Sequence, residues 1–214
     1  MDFIVLSSSR GTTFQAVLDR IADGSLTAKC LGLVTDRGDR GCIEKARSSN
    51  LPVMVMEKEE GEGREAYDRR LDDTISSFLP SPAARRATLS RAREREGIVL
   101  AALGWMSILS PWFINQWKNR IINVHPALLP KYGGAGMYGD KVHQAVLAAG
   151  EKESGITIHL MDEGVDTGKI LLQKTCPVLP EDTVETLKGR VQGLERVWYP
   201  KVLQMLEENR VQLK

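Results

Sequence analysis

"DFIVLSSSRGTTFQAVLDRIADG", residues 2–24, holds the two patterns that decide the fold. Its first seven residues, "DFIVLSS", are a short β-rich run. From Thr12 onward the apolar residues recur at helical spacing, and Gly24 supplies a helix stop. The strand shows no polar alternation, so both of its faces are to be buried. Outward from this stretch the unit repeats. "AKCLGLVTD" (28–36), "LPVMVM" (51–56) and "GIVLAAL" (97–103) read as further strands. Between them "GCIEKARSSN" and "GREAYDRRLDDTISSFL" (63–79) read as helices. Apolar strands separated by helices imply a parallel sheet, right-handed crossovers and a cover on both faces.

The pattern changes after residue 103. "SPWFINQWKNR" (110–120) predicts a short helix with Pro111 in its first turn, and "IINV" a fifth strand. "KVHQAVLAAG" (141–150) is helical. "SGITIHLM" (154–161) and "GKILLQKTCPV" (168–178) lie too close for a helical crossover, so they are expected to pair antiparallel. A long C-terminal helix closes the chain, with a bend expected before Pro200. The expected class is α/β, a mostly parallel twisted sheet of about seven strands with helices on both faces. The expected organisation is one domain over 1–214, with a phosphate-binding half (1–103) and a catalytic half (104–214).

Composition narrows the function classes. The 214 residues carry 29 Lys and Arg against 28 Asp and Glu, a net charge of +1, which gives no footprint for nucleic acid or an anionic membrane. No apolar stretch approaches a membrane span of roughly 20 residues, and the N-terminus lacks a signal peptide's basic start and apolar core. Cys30, Cys42 and Cys176 are odd in number and widely spaced, which suits a reduced, cytoplasmic setting. "LPSPAARRATLSRAREREG" (79–97) is rich in Arg, Ala and Ser; it reads as a helical extension or a solvated loop, favoured over an anion-binding surface.

Three polar clusters fall at expected strand ends, where open α/β sheets bind ligands. In "SSSRGTTF" (7–14), Gly11, Thr12 and Thr13 can face a phosphate at a helix N-terminus. An ordinary turn capped by Thr12 or Thr13 explains them equally well. In "IINVHPALLPKYGG" (121–134), Asn123 and His125 share one face of a strand, so a carboxamide donor stands beside an imidazole. Polar strand caps are the simpler explanation of that pair alone. In "HLMDEGVDTGKI" (159–170), Asp162, Glu163 and Asp166 occupy a hairpin loop whose turn chemistry would need Asp and Gly in any case. The histidines do not fall at the spacing of a zinc motif, and no metal is expected.

Together, "NVHPALLPKYGG" and "DEGVDTGKILLQ" resemble the N-x-H-P-S-L-L-P segment and D-x-G-P-I-L-x-Q hairpin of the folate-dependent formyltransferases. The likeness runs in order through "IVLSSSRGTTFQAVLD", "REAYDRRL", "LGWMSILSP" and "RVQGLERVWYP". It implies a formyl carrier, 10-formyltetrahydrofolate, as cosubstrate, and the amine of glycinamide ribonucleotide as acceptor, in purine synthesis. By resemblance Asn123, His125 and Asp166 are the catalytic trio, with Thr157 and His159 in support. A carboxylate near His125 would favour its charged, imidazolium form. Gly11, Thr12, Thr13, Gln192 and Glu195 match positions that contact the ribonucleotide. Arg64, Met106, Leu109 and the backbone from Leu160 through Met161 and Asp162 to Asp166 match positions lining the folate pocket. A cis Leu129–Pro130 bond is implied as well.

The sequence departs from the family pattern at residues 9–13, where Ser-Arg-Gly-Thr-Thr stands for G-x-G-S-N. The loop after Pro130 is longer and glycine-rich, suggesting a movable cover. Other outcomes are a formyltetrahydrofolate hydrolase, a formyltransferase acting on methionyl-tRNA, or a nucleotide-binding protein without activity. The first two usually carry a further domain for which this chain leaves no residues. Small-molecule substrates and a monomer or homodimer are expected, with no nucleic acid or membrane partner.

Overall fold

The computed structural model describes residues 1–79, 95 and 97–213. Strand β1 (Asp2–Leu6) shows why the sheet is buried twice over. Phe3 and Val5 pack into one hydrophobic cluster and Ile4 and Leu6 into another, and all four are fully buried. Alternate residues of a strand face opposite sides, so an unbroken apolar run needs a cover on each. Burying one such side chain stabilises the fold by about 1.5–3 kcal/mol.

The remaining strands are β2 (Lys29–Thr35), β3 (Val53–Val55), β4 (Ile98–Ala102), β5 (Ile121–His125), β6 (Glu153–Leu160) and β7 (Ile170–Pro177). They form one seven-stranded sheet in the order β3-β2-β1-β4-β5-β6-β7. The first five strands pair parallel; β6 runs antiparallel to both β5 and β7. The antiparallel β6–β7 hairpin is the one its short connection predicts. The sheet order reverses between β1 and β4, the topological position where α/β sheets open a crevice.

The helices are α1 (Thr12–Ala22), α2 (Cys42–Ser48), α3 (Arg64–Ser77), α4 (Pro111–Gln116), α5 (Asp140–Ala148) and α6 (Val184–Glu207). Phe14 and Val17 of α1, Ile43 of α2, and Leu187, Val191 and Tyr199 of α6 cover one face. Tyr67, Leu71 and Ile75 of α3 and Phe113 of α4 cover the other. Local chemistry sets the boundaries. Ser110 caps α4 by accepting from Phe113 N–H, with Pro111 at the first turn, and Thr183 and Thr186 form a reciprocal capping box on α6. Helix α6 continues through Pro200, which is buried and has no N–H to offer Arg196. Leu129–Pro130 is cis, as the resemblance implies.

Most of the Arg-rich stretch 79–97 lies outside the described residues, but Arg95 departs from the solvated expectation. It is only 3% exposed, and its guanidinium donates to both Asp72 carboxylate oxygens at 2.8 and 2.6 Å. Trp117 lies beneath it, 4.9 Å away, and donates its own Nε1–H to Asp72. Helix α3 turns this carboxylate inward, and an inward carboxylate requires a paired cation. The three cysteines are free and buried, in keeping with packing roles.

Candidate active site

Strands β5 and β6 set the geometry. In their antiparallel ladder Asn123 stands opposite His159, and His125 opposite Thr157. Directly opposed residues share a face, so four polar side chains gather on one side of the sheet's carboxyl end. Thr157 Oγ1 donates to Ala127 O at 2.7 Å and accepts from Leu129 N–H at 3.0 Å, tying down the chain that leaves β5. His159 Nδ1 lies 2.9 Å from the Leu160 carbonyl, which can only accept, so the ring proton sits on Nδ1. The Nε2 lone pair then accepts from Asn123 Nδ2 at 3.2 Å. This fixes the amide with nitrogen toward His159, and its second N–H remains for a ligand.

His125 is 4% exposed, and its Nε2 donates to the Tyr132 carbonyl at 2.7 Å. Its Nδ1 lies 3.3 Å from Asp166 Oδ2. The Asp166 carboxylate pulls this ring toward the imidazolium, but burial opposes it. Burial outweighs the pull of Asp166 and Tyr132 O and holds His125 below its ordinary value. Nε2 carries a proton in either charge state, because the Tyr132 carbonyl can only accept, while Nδ1 faces the Asp166 carboxylate.

Asp166 comes from the β6–β7 loop and adopts φ 59°, which a short polar residue tolerates better than most. Its Oδ2 accepts from Gly134 N–H at 3.1 Å, and its Oδ1 lies 3.6 Å from His159 Nε2. Burial pushes the carboxyl upward, but the attraction of the His125 ring and the Gly134 N–H prevail. Asp166 stays below the ordinary carboxylate value and ionised. Gly133 permits this clasp: a Cβ there would lie 2.4 Å from Leu129 Cδ2 and 3.3 Å from Asp166 Cβ.

The "SSSRGTTF" loop opens into the same cleft, of about 660 Å³. Neither Thr12 nor Thr13 caps α1. Gly11 holds the cap position with φ 76°, no side chain caps the helix, and Thr12 is its first, exposed residue. An uncapped helix start presents backbone N–H groups and the positive end of its dipole to the cleft. Only glycine suits residue 11, because a Cβ would meet Cys42 at 2.9 Å. Thr13 Oγ1 donates to Glu195 Oε2 at 2.9 Å, and burial raises the Glu195 carboxyl to about 7. Gln192 and Glu195 line the cleft from α6.

The predicted folate positions divide three ways. Met106, Leu109, Met161 and Asp162 line the cleft beside the trio. The Leu160 side chain does not; it is buried in the hydrophobic core. Arg64 lines a neighbouring hollow of about 570 Å³, which shares Ser107 and Ile108 with the cleft. Sequence reasoning missed Trp105, Tyr138, His143 and Lys188, all of which line the cleft. Among the described residues, no group of three or more His, Cys, Asp or Glu side chains is placed to hold a metal ion. No described helix is long and apolar enough to cross a membrane.

Known proteins show the same arrangement of chain. The formyl transferase family model matches residues 1–203. A relative from Vigna unguiculata, "Phosphoribosylglycinamide formyltransferase, chloroplastic", is 35% identical over 207 residues, covering 97% of this chain. The chain spans 61% of that relative's length. The phosphoribosylglycinamide formyltransferase of Haemophilus influenzae is 33% identical over 210 residues, covering 98% of this chain and 89% of its own. The crystal structure of glycinamide ribonucleotide transformylase 1 from Symbiobacterium toebii superposes with a TM-score of 0.83 at 29% identity, covering 98% of this chain and 89% of that one. With a family match over nearly its whole length, this chain belongs to the formyl transferase family.

Proposed function

We propose that this protein transfers the formyl group of 10-formyltetrahydrofolate to the amine of glycinamide ribonucleotide, a step of purine synthesis, and that residues 1–214 act as one domain. The observation that carries this reading is the meeting of Asn123, His125 and Asp166 in the cleft that also receives the uncapped start of α1. Such a cleft offers a phosphate anchor at one end and an oxyanion donor with a proton carrier at the other. The names of the Vigna and Haemophilus relatives point to the same acceptor.

The chemistry follows from the hydrogen bonds. Attack of the amine on the formyl carbon forms the new C–N bond and moves the carbonyl electrons onto oxygen. The free Asn123 Nδ2–H is placed to donate to that oxyanion. The attacking nitrogen, now positive, gives a proton to the Nδ1 lone pair of His125, and the adjacent Asp166 carboxylate stabilises the resulting imidazolium. His125 then returns the proton to N10 as the C–N10 bond breaks, leaving formylated ribonucleotide and tetrahydrofolate. His159 acts through Asn123 and Asp166 as a positioning residue, and Thr157 holds the turn after β5.

The ribonucleotide phosphate is assigned to Gly11, Thr12 and Thr13, with Gln192 and Glu195 along the sugar. Met106, Leu109, Met161, Asp162 and the Leu160 backbone flank the folate, an apolar slot suited to a pteridine ring. Arg64, in the adjoining hollow, suits the carboxylates of the folate tail. Consumption of 10-formyltetrahydrofolate with and without glycinamide ribonucleotide tests the proposal. It is supported by consumption that requires the ribonucleotide and fails if the rate ignores it.

A further inference from the structure

His143 is a buried polar residue that the proposed reaction leaves without a task. It stands in the first turns of α5, is 2% exposed, and lines the cleft together with Thr12, Thr13 and Lys188. Of its two ring nitrogens, only Nδ1 is sealed from solvent without a hydrogen-bond partner. Burying an imidazole whose Nδ1 has no partner among the described residues costs free energy that a leucine at the same place would not. The fold therefore gains nothing from this ring's polarity, and its use lies on the cleft side.

The orphaned Nδ1 also decides the tautomer. A sealed N–H is a rarer and costlier defect than a sealed acceptor, so the lone pair belongs on Nδ1 and the proton on Nε2. The charged and titratable groups facing the ring are Lys188 from α6, Asp140 from its own helix and His125 from β5. Burial first, and Lys188 second, keep the ring neutral. Lys188 is itself paired with Asp140 at 2.6 Å, an exposed bridge at the cleft's rim. His143 and Lys188 thus line the same cleft as Thr12 and Thr13 at the uncapped start of α1.

We infer that His143 is an acceptor-binding residue, whose Nε2–H donates to a phosphate oxygen of the ribonucleotide held at the α1 loop. The inference rests on the proposed formyl transfer and adds a contact that none of the matched family positions supplies. Lys188 adds favourable charge to the same anion, and His143 adds direction.

Glutamine can place an N–H close to the Nε2 position, whereas leucine fills the volume without a donor. Steady-state kinetics on the full chain, with glycinamide ribonucleotide and 10-formyltetrahydrofolate varied in turn, separate these roles. His143→Leu is expected to raise the ribonucleotide KM about tenfold with kcat and the folate KM near those of the parent. His143→Gln is expected to recover most of that loss. Equal ribonucleotide KM in the parent and His143→Leu overturns the inference and leaves the transfer reaction standing. So does a loss that His143→Gln does not recover while both variants melt like the parent. If the parent protein neither binds nor formylates the ribonucleotide, the underlying reading falls and this inference falls with it. Should His143→Leu fail to fold, the parent and His143→Gln still decide. Near-parental KM in His143→Gln supports the donor role, and a tenfold rise in that folded variant contradicts it.

Discussion

His159 faces Asn123 across the β5–β6 ladder, and the lone pair on its Nε2 receives the Asn123 amide at 3.2 Å. The pairing dictates which way the carboxamide points, and so whether the site offers a donor or an acceptor to a developing oxyanion. Asn123→Asp keeps the shape but replaces the donor with an anion. It is expected to lower kcat by roughly 10²–10³-fold, the usual cost of one oxyanion donor, with a small change in melting temperature. Single-turnover rates against thermal melts check this, and a near-parental rate would remove Asn123 from the chemistry.

The burial of His125 fixes the sign of the pH dependence. The ring must hold a free lone pair to accept the amine proton, and burial keeps its protonation below the ordinary imidazole value of about 6.5. The His125 contribution to kcat/KM should be flat at neutral pH and fall on the acid side, below that ordinary value. Asp166→Asn removes the anion that pulls the ring upward, so the acid limb should move lower still while kcat drops sharply. Rate profiles of the two proteins across acid pH check this. An acid limb that moves upward in Asp166→Asn contradicts the assigned pairing.

Glu195 ties function to stability. Its folded carboxyl titrates at about 7, raised by burial above the unfolded value of about 4.3. A raised acid favours the folded state fully below the unfolded value and loses that contribution as pH climbs through the folded one. Glu195→Gln, which cannot ionise, is therefore expected to melt like the parent near pH 3.5, below the unfolded value, and above it near pH 8. It should also bind ribonucleotide more weakly, a stability gain at functional cost. Calorimetric melts at the two pH values check the first expectation, and identical melting of the two proteins at both would refute it.

Gly11 tests the phosphate loop. With φ 76°, and Cys42 only 2.9 Å from where an added Cβ would stand, Gly11→Ala strains the loop by about 1–3 kcal/mol. The expected outcome is a ribonucleotide KM raised at least tenfold, an unchanged folate KM and a melting temperature lower by several degrees. Steady-state kinetics and thermal melts of the variant read all three. An unchanged ribonucleotide KM would place the phosphate elsewhere.

The strands and the shared face of Asn123 and His125 were legible because their signals are local, whereas grouping them with Asp166 rested on the family resemblance. Unbroken apolar runs such as "IVLAA" identify strands buried on both faces, and the two-residue spacing of Asn123 and His125 puts them on one face without further information. What escaped the sequence depends on the path of the chain in space. The acceptor for His125 is a backbone carbonyl, at Tyr132, which carries no residue signature. Arg95 reads as solvated in sequence because Asp72 and Trp117 meet it only across the fold. His143 sits in an ordinary amphipathic pattern, and only its unpartnered ring nitrogen distinguishes it from a packing residue. The weak "RGTT" signal gains meaning because Gly11, and neither threonine, occupies the cap.

The central claim is that Asn123, His125 and Asp166 deliver a formyl group to an amine and not to water. Isotopically labelled formyl on 10-formyltetrahydrofolate, followed by mass spectrometry of the products with glycinamide ribonucleotide present, tests it most directly. The predicted result is label in formylated ribonucleotide, one equivalent for each tetrahydrofolate formed, and its loss in His125→Ala. Label recovered as free formate, at a rate independent of the ribonucleotide, would contradict it.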